Sequence, residues 1–275
     1  MTRYPTITRP RRRRGGGFSL AELLTVVGLI ALLTSLLLPV LGKVRAAAGS
    51  AACAANLRQM GVAWLAYTTE NKGRLMEYAW NSPATPEAAW NAYWPGVLDA
   101  QDVHGPSLLC PAAAEPSPDP TRRGYGTAAA AWSGRYASVA TVVHLNAPTY
   151  RDSSYGFNRY LTAGGAFGPD PAVPTTQVSV ARSLTDVPVF FDCAYADAQP
   201  VNGSEAAPVK APPNLRGDQV TVASAEHWKF LLARHGRGIN VAFADGSTRW
   251  VILDDTYTLD WKVGWAKYRL RLPTR

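Results

Sequence analysis

The longest apolar signal in the chain comes first. Residues 18–41 are a run of 24 positions carrying one charge, Glu22. As a helix rising about 1.5 Å per residue, the run spans about 36 Å, enough for a hydrocarbon core of about 30 Å. Pro39 removes one helical hydrogen bond and crowds the carbonyl four residues back, so a kink or local melting is expected near 35–39. Beyond Lys43 the apolar positions narrow to one stripe: Cys53, Leu57, Met60, Trp64 and Tyr67. Steps of four and three put these on one face of an amphipathic helix, which needs a folded domain to cover it. Asn71-Lys72-Gly73 reads as its C-cap. A single helix of about 50 residues is therefore expected, apolar all round in its first half and amphipathic in its second.

After Gly73 the periodicity weakens. Trp80, Trp90 and Trp94 point to an irregular, aromatic core layer. Residues 111–140, 164–176 and 197–218 read as loops, and 136–143, 176–180 and 187–192 as strands. The clearest strand signal runs from Ile239 to Ile252, broken by Asp245-Gly246. Asp-Gly between alternating runs predicts a hairpin with a two-residue type I′ turn. That register pairs Phe243 with Thr248, Val241 with Trp250 and Ile239 with Ile252, on the face expected to cover the long helix. The fold class expected is α+β, a long N-terminal helix packed on an antiparallel sheet with long loops.

The net charge of +8 raises the question of a nucleic-acid partner. Six of the 28 basic residues are arginines within the first 17 positions, leaving 22 against 20 acidic residues elsewhere. A duplex binder needs its excess charge on the folded surface, so no nucleic acid is expected; a terminal basic block is a targeting signal. By the positive-inside rule the N-terminus is cytoplasmic and the rest is translocated. The three cysteines, Cys53, Cys110 and Cys193, form no CxxC and no metal-ligand spacing. No Gly-rich phosphate loop, HExxH or GxSxG is present, so no enzyme is expected.

Glu22 is the anomaly. A carboxylate inside a membrane segment costs about 2.5–3.5 kcal/mol on insertion scales and needs a partner or a role. The string around it, Gly17-Phe18-Ser19-Leu20-Ala21-Glu22, strongly resembles the type IV prepilin signature: a basic leader closed by Gly, an aromatic residue, then Glu. The resemblance implies that a prepilin peptidase cuts after Gly17 and methylates the amine of Phe18. The division expected is a leader at 1–17, a transmembrane and assembly helix at 18–41, its amphipathic continuation at 42–72 and an extracytoplasmic domain at 73–275. In a filament, Glu22 of one subunit would pair with the Phe18 ammonium of a neighbour. A secretory signal cut near Ala46-Ala47-Ala48 leaves Glu22 unexplained, and a plain signal anchor fits the hydropathy alone.

A second resemblance lies further along. His235, nine residues, then Asp245-Gly246 is similar to the H-X9-DG pattern of a large pilin-like family. Asn56-Leu57-Arg58-Gln59-Met60-Gly61 behind Cys53, Cys110-Pro111, and Ser154-Tyr155-Gly156-Phe157-Asn158 resemble other pieces of it. His235 is read as capping backbone at a helix-to-strand junction, and Asp245 as turn chemistry. The family's shared cysteine positions imply a Cys53–Cys110 disulfide with Cys193 free. Asp254-Asp255 beside Asp245 offer carboxylates to calcium, as a C-terminal loop does in some major pseudopilins; EF-hand spacing is absent, and no metal site or other cofactor is assigned.

Together these resemblances imply a pseudopilin of a type II secretion system, held in the inner membrane with a periplasmic domain. Its expected partners are the prepilin peptidase and N-methyltransferase, other pilin or pseudopilin subunits and the inner-membrane assembly platform. A minor pilin of a surface pilus is the neighbouring reading. A membrane-anchored enzyme or carbohydrate-binding domain is the reading of a different class.

Overall fold

A computed structural model describes residues 19–77, 94–119, 124–133, 152–163, 184–204, 206–221, 225–262 and 264–273. The expected strands at 136–143 and 176–180, the loop at 164–176, and Trp80 and Trp90 lie outside these. The chain divides into two compact units, Met1–Arg45 and Ala46–Arg275.

Helix α1, Leu20–Glu70, is continuous for 51 residues with Pro39 inside it. The expected melting at 35–39 does not occur. Pro39 deprives the Ser35 carbonyl of its amide partner, and nearby hydroxyls turn back onto the helix: Thr34 Oγ1 donates to Ile30 O and Ser35 Oγ to Leu32 O. In the first unit every large apolar side chain from Leu20 to Val44 is exposed. Among the described residues this is the one helix long and apolar enough to cross a membrane, and it is compatible with a single-pass anchor. At its far end Gly73 N donates to Thr68 O and Lys72 N to Thr69 O, with Lys72 at φ 56°. That is a Schellman closure, which satisfies the last carbonyls.

The second unit is an α+β domain. Among the described residues its other strands and α-helix are β1 (Met76–Glu77), α2 (Trp94–Ala100), β2 (Trp132–Ser133), β3 (Asp152–Ser153), β4 (Tyr155–Asn158), β5 (Thr162–Ala163), β6 (Pro188–Asp192), β7 (Asp197–Ala198), β8 (Gly238–Phe243) and β9 (Thr248–Ile252). The main sheet has the order β7-β4-β6-β8-β9. Its β4, β6, β8 and β9 are antiparallel neighbours, but edge strand β7 runs parallel to β4, so the sheet is mixed. Two short pairs, β1 with β5 and β2 with β3, stand apart from it.

The hairpin register differs by one residue from expectation. Val241 pairs with Arg249, Asn240 with Trp250 and Ile239 with Val251. Gly246 alone takes a positive φ, 82°, while Asp245 does not. Gly246 N donates to Phe243 O and Phe243 N to Ser247 O. The connection is therefore a three-residue loop, Ala244-Asp245-Gly246, a type I turn closed by a glycine bulge. A one-residue slip exchanges the faces. The helix lies against the small residues: a Cβ on Gly61 would sit 3.4 Å from Ala242 Cβ, and Asn240 Nδ2 donates to Ser50 O at 3.2 Å. Ile239 and Val241 face the other way. Phe191, beside Val241, packs there with Phe230 and Trp261 at centroid distances of 5.5 and 5.1 Å.

The stripe Cys53, Leu57, Met60 and Trp64 is fully buried, with Tyr67 partly so. Each large member contributes about 1.5–3 kcal/mol by leaving water. Part of the 111–140 segment is no surface insertion. Ala131 and Trp132 are fully buried, and Trp132 Nε1 donates to Tyr155 O. Nor is 197–218 all loop, since it supplies β7 and the buried Leu215.

Candidate metal centre

One cluster of chemically active side chains lies at the junction of helix and sheet. Cys53 comes from α1, Cys110 from a tight turn closed by Ala113 N onto Cys110 O, Asp192 from the end of β6, and His235 from the link into β8. One ligand atom from each of the four lies within 4.8 Å of all the others. Cys53, Cys110 and Asp192 are fully buried, and the His235 side chain is 3% exposed.

Asp192 is the hub. Its Oδ1 accepts from Cys53 Sγ at 3.3 Å and from Arg234 Nη1 at 3.2 Å. Its Oδ2 accepts from Asn240 N at 2.8 Å and faces His235 Nε2 at 3.4 Å. Four donors thus use the four acceptor positions of one carboxylate. Arg234, itself buried, is held by the carbonyls of Ser154, Thr127 and Cys193. His235 Nε2 also meets Cys110 Sγ at 3.3 Å. Tyr155 Oη lies 3.2 Å from Cys53 Sγ and accepts from Asn56 Nδ2. Ser154 Oγ holds Cys110 N at 3.1 Å.

Burial opposes every charge in the cluster, and the partners decide which charges remain. Asp192 stays below the usual carboxylate range despite its burial, because His235 hydrogen-bonds it and the Arg234 guanidinium faces it. Against its own burial, His235 is held up at about 9 by its bonds to Asp192 and Cys110. The neighbouring Cys53 thiol and the bond to His235 bring Cys110 down to about 6, whereas burial pushes Cys53 up. The arrangement can hold two thiolates and an imidazole around one cation, or hold one thiolate against an imidazolium.

The residues singled out from the sequence fall in three places. Cys53, Cys110 and His235 come together here, and all three cysteines are free thiols. The disulfide implied by the resemblance is not formed in this structure. His235 was expected to cap backbone with its ring; among the described residues its Nε2 instead meets Asp192 and Cys110, two buried groups that it links. Asp245 and Gly246 form the hairpin turn, where Asp245 Oδ1 accepts from Ser247 N at 2.9 Å. Glu22 lies at the start of α1, and Gly17 and Phe18 lie outside the described residues. Asp254 pairs with Arg237 and Asp255 with Arg269, and neither joins a metal-holding group with Asp245 among the described residues.

Spacing along the chain hid the cluster, because its donors come from four distant segments. Asp192, Tyr155, Arg234 and Asn240 were not foreseen. One signal was present: Asp192 ends the otherwise apolar string Pro188-Val189-Phe190-Phe191, and an acid closing a buried strand needs a buried partner.

No family model, no curated protein and no solved structure matches the chain.

Proposed function

We propose that the chain is a pilin-like structural subunit, a pseudopilin of a type II secretion system. It is processed at Gly17-Phe18, methylated on Phe18, and assembled through its N-terminal helix. The observation that carries this reading is the two-part character of α1. One unbroken helix has a first half whose apolar side chains are all exposed and a second half whose stripe is the core of the domain. An anchor needs only the first half, and a soluble domain only the second. A subunit that leaves the membrane to pack helix against helix uses both. The N-terminus is cytoplasmic and the domain periplasmic, in keeping with the arginine block before the helix. The near-total burial of the Cys53 cluster supports a structural rather than a catalytic subunit.

Mass spectrometry of the mature N-terminus in cells carrying an active prepilin peptidase tests the reading. The expected chain begins at N-methylated Phe18, and Gly17→Leu leaves the leader attached. A terminus near residue 48, or a retained leader on the unaltered chain, overturns it. Loss of secretion on deletion points to the pseudopilus, and loss of a surface filament to a minor pilin.

A further inference from the structure

We propose that Cys53, Cys110, His235 and Asp192 form a closed, tetrahedral site for a borderline-soft divalent cation of the zinc class. The site staples the long helix to the sheet. It stands whether or not the chain assembles into a filament.

Distances carry the argument first. With metal bonds of about 2.3 Å to sulfur and about 2.0–2.2 Å to nitrogen and oxygen, neighbouring ligands of a tetrahedron lie about 3.3–3.8 Å apart. One edge of the cluster, Cys110 Sγ to His235 Nε2, measures 3.3 Å, and the Asp192 carboxylate reaches the other two donors through its two oxygens, Oδ2 at 3.4 Å from His235 Nε2 and Oδ1 at 3.3 Å from Cys53 Sγ, one of which becomes the ligand. All four ligand atoms fall within 4.8 Å of one another. Two sulfurs and an imidazole are the wrong donors for calcium or magnesium, which take oxygen.

Charge carries it second. A buried site must come out near neutral. Two thiolates and the Asp192 carboxylate balance a dication together with the Arg234 guanidinium, which is buried against Asp192.

The surrounding hydrogen bonds carry it third. On metal binding, Cys53 loses its thiol proton and His235 presents a lone pair, so both stop donating to Asp192. That frees one acceptor position on each carboxylate oxygen, while Arg234 and Asn240 N keep their bonds and hold the ligand in place. Tyr155 Oη then donates to Cys53 Sγ, steadied by Asn56. Such outer partners orient ligands and tune affinity. Four protein ligands leave no open position, which marks a structural rather than a catalytic site. Two protons are released to solvent on binding, one from Cys53 and one from the Cys110–His235 pair.

The test uses the full chain in detergent, isolated without oxidant or chelator. Metal analysis should find one zinc ion per chain. Removal of zinc and titration with Co²⁺ should give the intense thiolate-to-cobalt absorption of a tetrahedral site. Both thiols should resist alkylation until the metal is stripped. Cys110→Ser and His235→Gln should each weaken Co²⁺ binding by at least about 100-fold, and Tyr155→Phe by about 10-fold. The proposal is overturned if the unaltered chain, stripped of zinc, gives no thiolate-to-cobalt absorption on titration with Co²⁺. It is overturned equally if anaerobically isolated chain carries a Cys53–Cys110 disulfide. Both outcomes are read on the unaltered chain, so a variant that misfolds does not obscure them.

Discussion

Ser19 and Glu22 exchange hydrogen bonds across the first turn of the long helix. Glu22 Oε2 accepts from Ser19 N at 2.8 Å, and Ser19 Oγ accepts from Glu22 N at 3.2 Å. This is a capping box, Ser-x-x-Glu, which satisfies donors that the helix cannot. It gives Glu22 a local task beside the proposed pairing with a neighbour's Phe18 amine. Glutamine separates the two, because it keeps the cap and loses the charge. Crosslinking between subunits in membranes should fall for both Glu22→Ala and Glu22→Gln. Stranding one half of a buried ion pair costs about 3–5 kcal/mol, a loss of roughly 100-fold or more in association. Normal crosslinking by the Gln variant would reduce Glu22 to a helix cap. Protease resistance of the folded domain should be unchanged in both.

Asp192→Asn should lower stability by about 3–5 kcal/mol, since it leaves the Arg234 guanidinium buried without a counter-charge. Asp192→Leu combined with Arg234→Met should recover part of that loss, because the isolated charge is gone. Urea midpoints of the three proteins measure the difference. If Asp192→Asn unfolds at the same urea concentration as the unaltered chain, the ion pair contributes nothing to the fold.

The hairpin loop makes unequal demands on Asp245 and Gly246. Gly246 sits at φ 82°, and a Cβ there would lie 2.7 Å from Leu65 Cδ1. Gly246→Ala should therefore cost about 1–2 kcal/mol through its left-handed backbone. Asp245→Ala should cost less, about 0.5–1.5 kcal/mol, through its bond to Ser247 N. Thermal unfolding that ranks the two the other way would restore the two-residue turn.

His227 makes stability depend on pH. It is buried, its Nε2 meets Lys210 O at 2.8 Å, and its Nδ1 has no hydrogen-bond partner among the described residues. Burial holds its pKa below the ordinary value, although Lys210 O and the nearby Glu226 pull the other way. The unfolded chain thus binds the proton more readily than the folded one. The contribution is fully present above the unfolded pKa of about 6.5 and is lost as pH falls through the folded pKa. Urea midpoints should drop between about pH 7 and pH 5, and His227→Gln, which keeps the bond to Lys210 O, should flatten the drop. An equal slope in the variant would place the titration elsewhere.

The periodic parts of the fold were legible in the sequence, because a single stripe or an alternation repeats its message over many residues. The stripe from Cys53 to Trp64, its cap at Lys72-Gly73 and the hairpin strands are where the pattern placed them. The register was not, because Asp-Gly serves both a two-residue turn and a three-residue loop with a glycine bulge. The choice depends on Ala244, which carries no turn signal. Strand β4 was missed because Tyr155-Gly156-Phe157-Asn158 is buried on both faces, so it shows no alternation. Asp192 and Arg234 meet only through sheet pairing, which spacing along the chain does not encode.

The bond from Asn240 to Ser50 spans 190 positions of sequence. Its partners are made far apart in time. A chain synthesised from its N-terminus displays Cys53, Leu57, Met60 and Trp64 long before the strand that helps cover them exists. Strand β8 lies between β6 and β9, so the sheet cannot close around a gap there. Loop closure over such a distance comes late and slowly. A chain interrupted before Gly238 keeps a bare apolar stripe on a ready-made helix and is an open substrate for proteases. Folding of this domain therefore reads out the length of the chain.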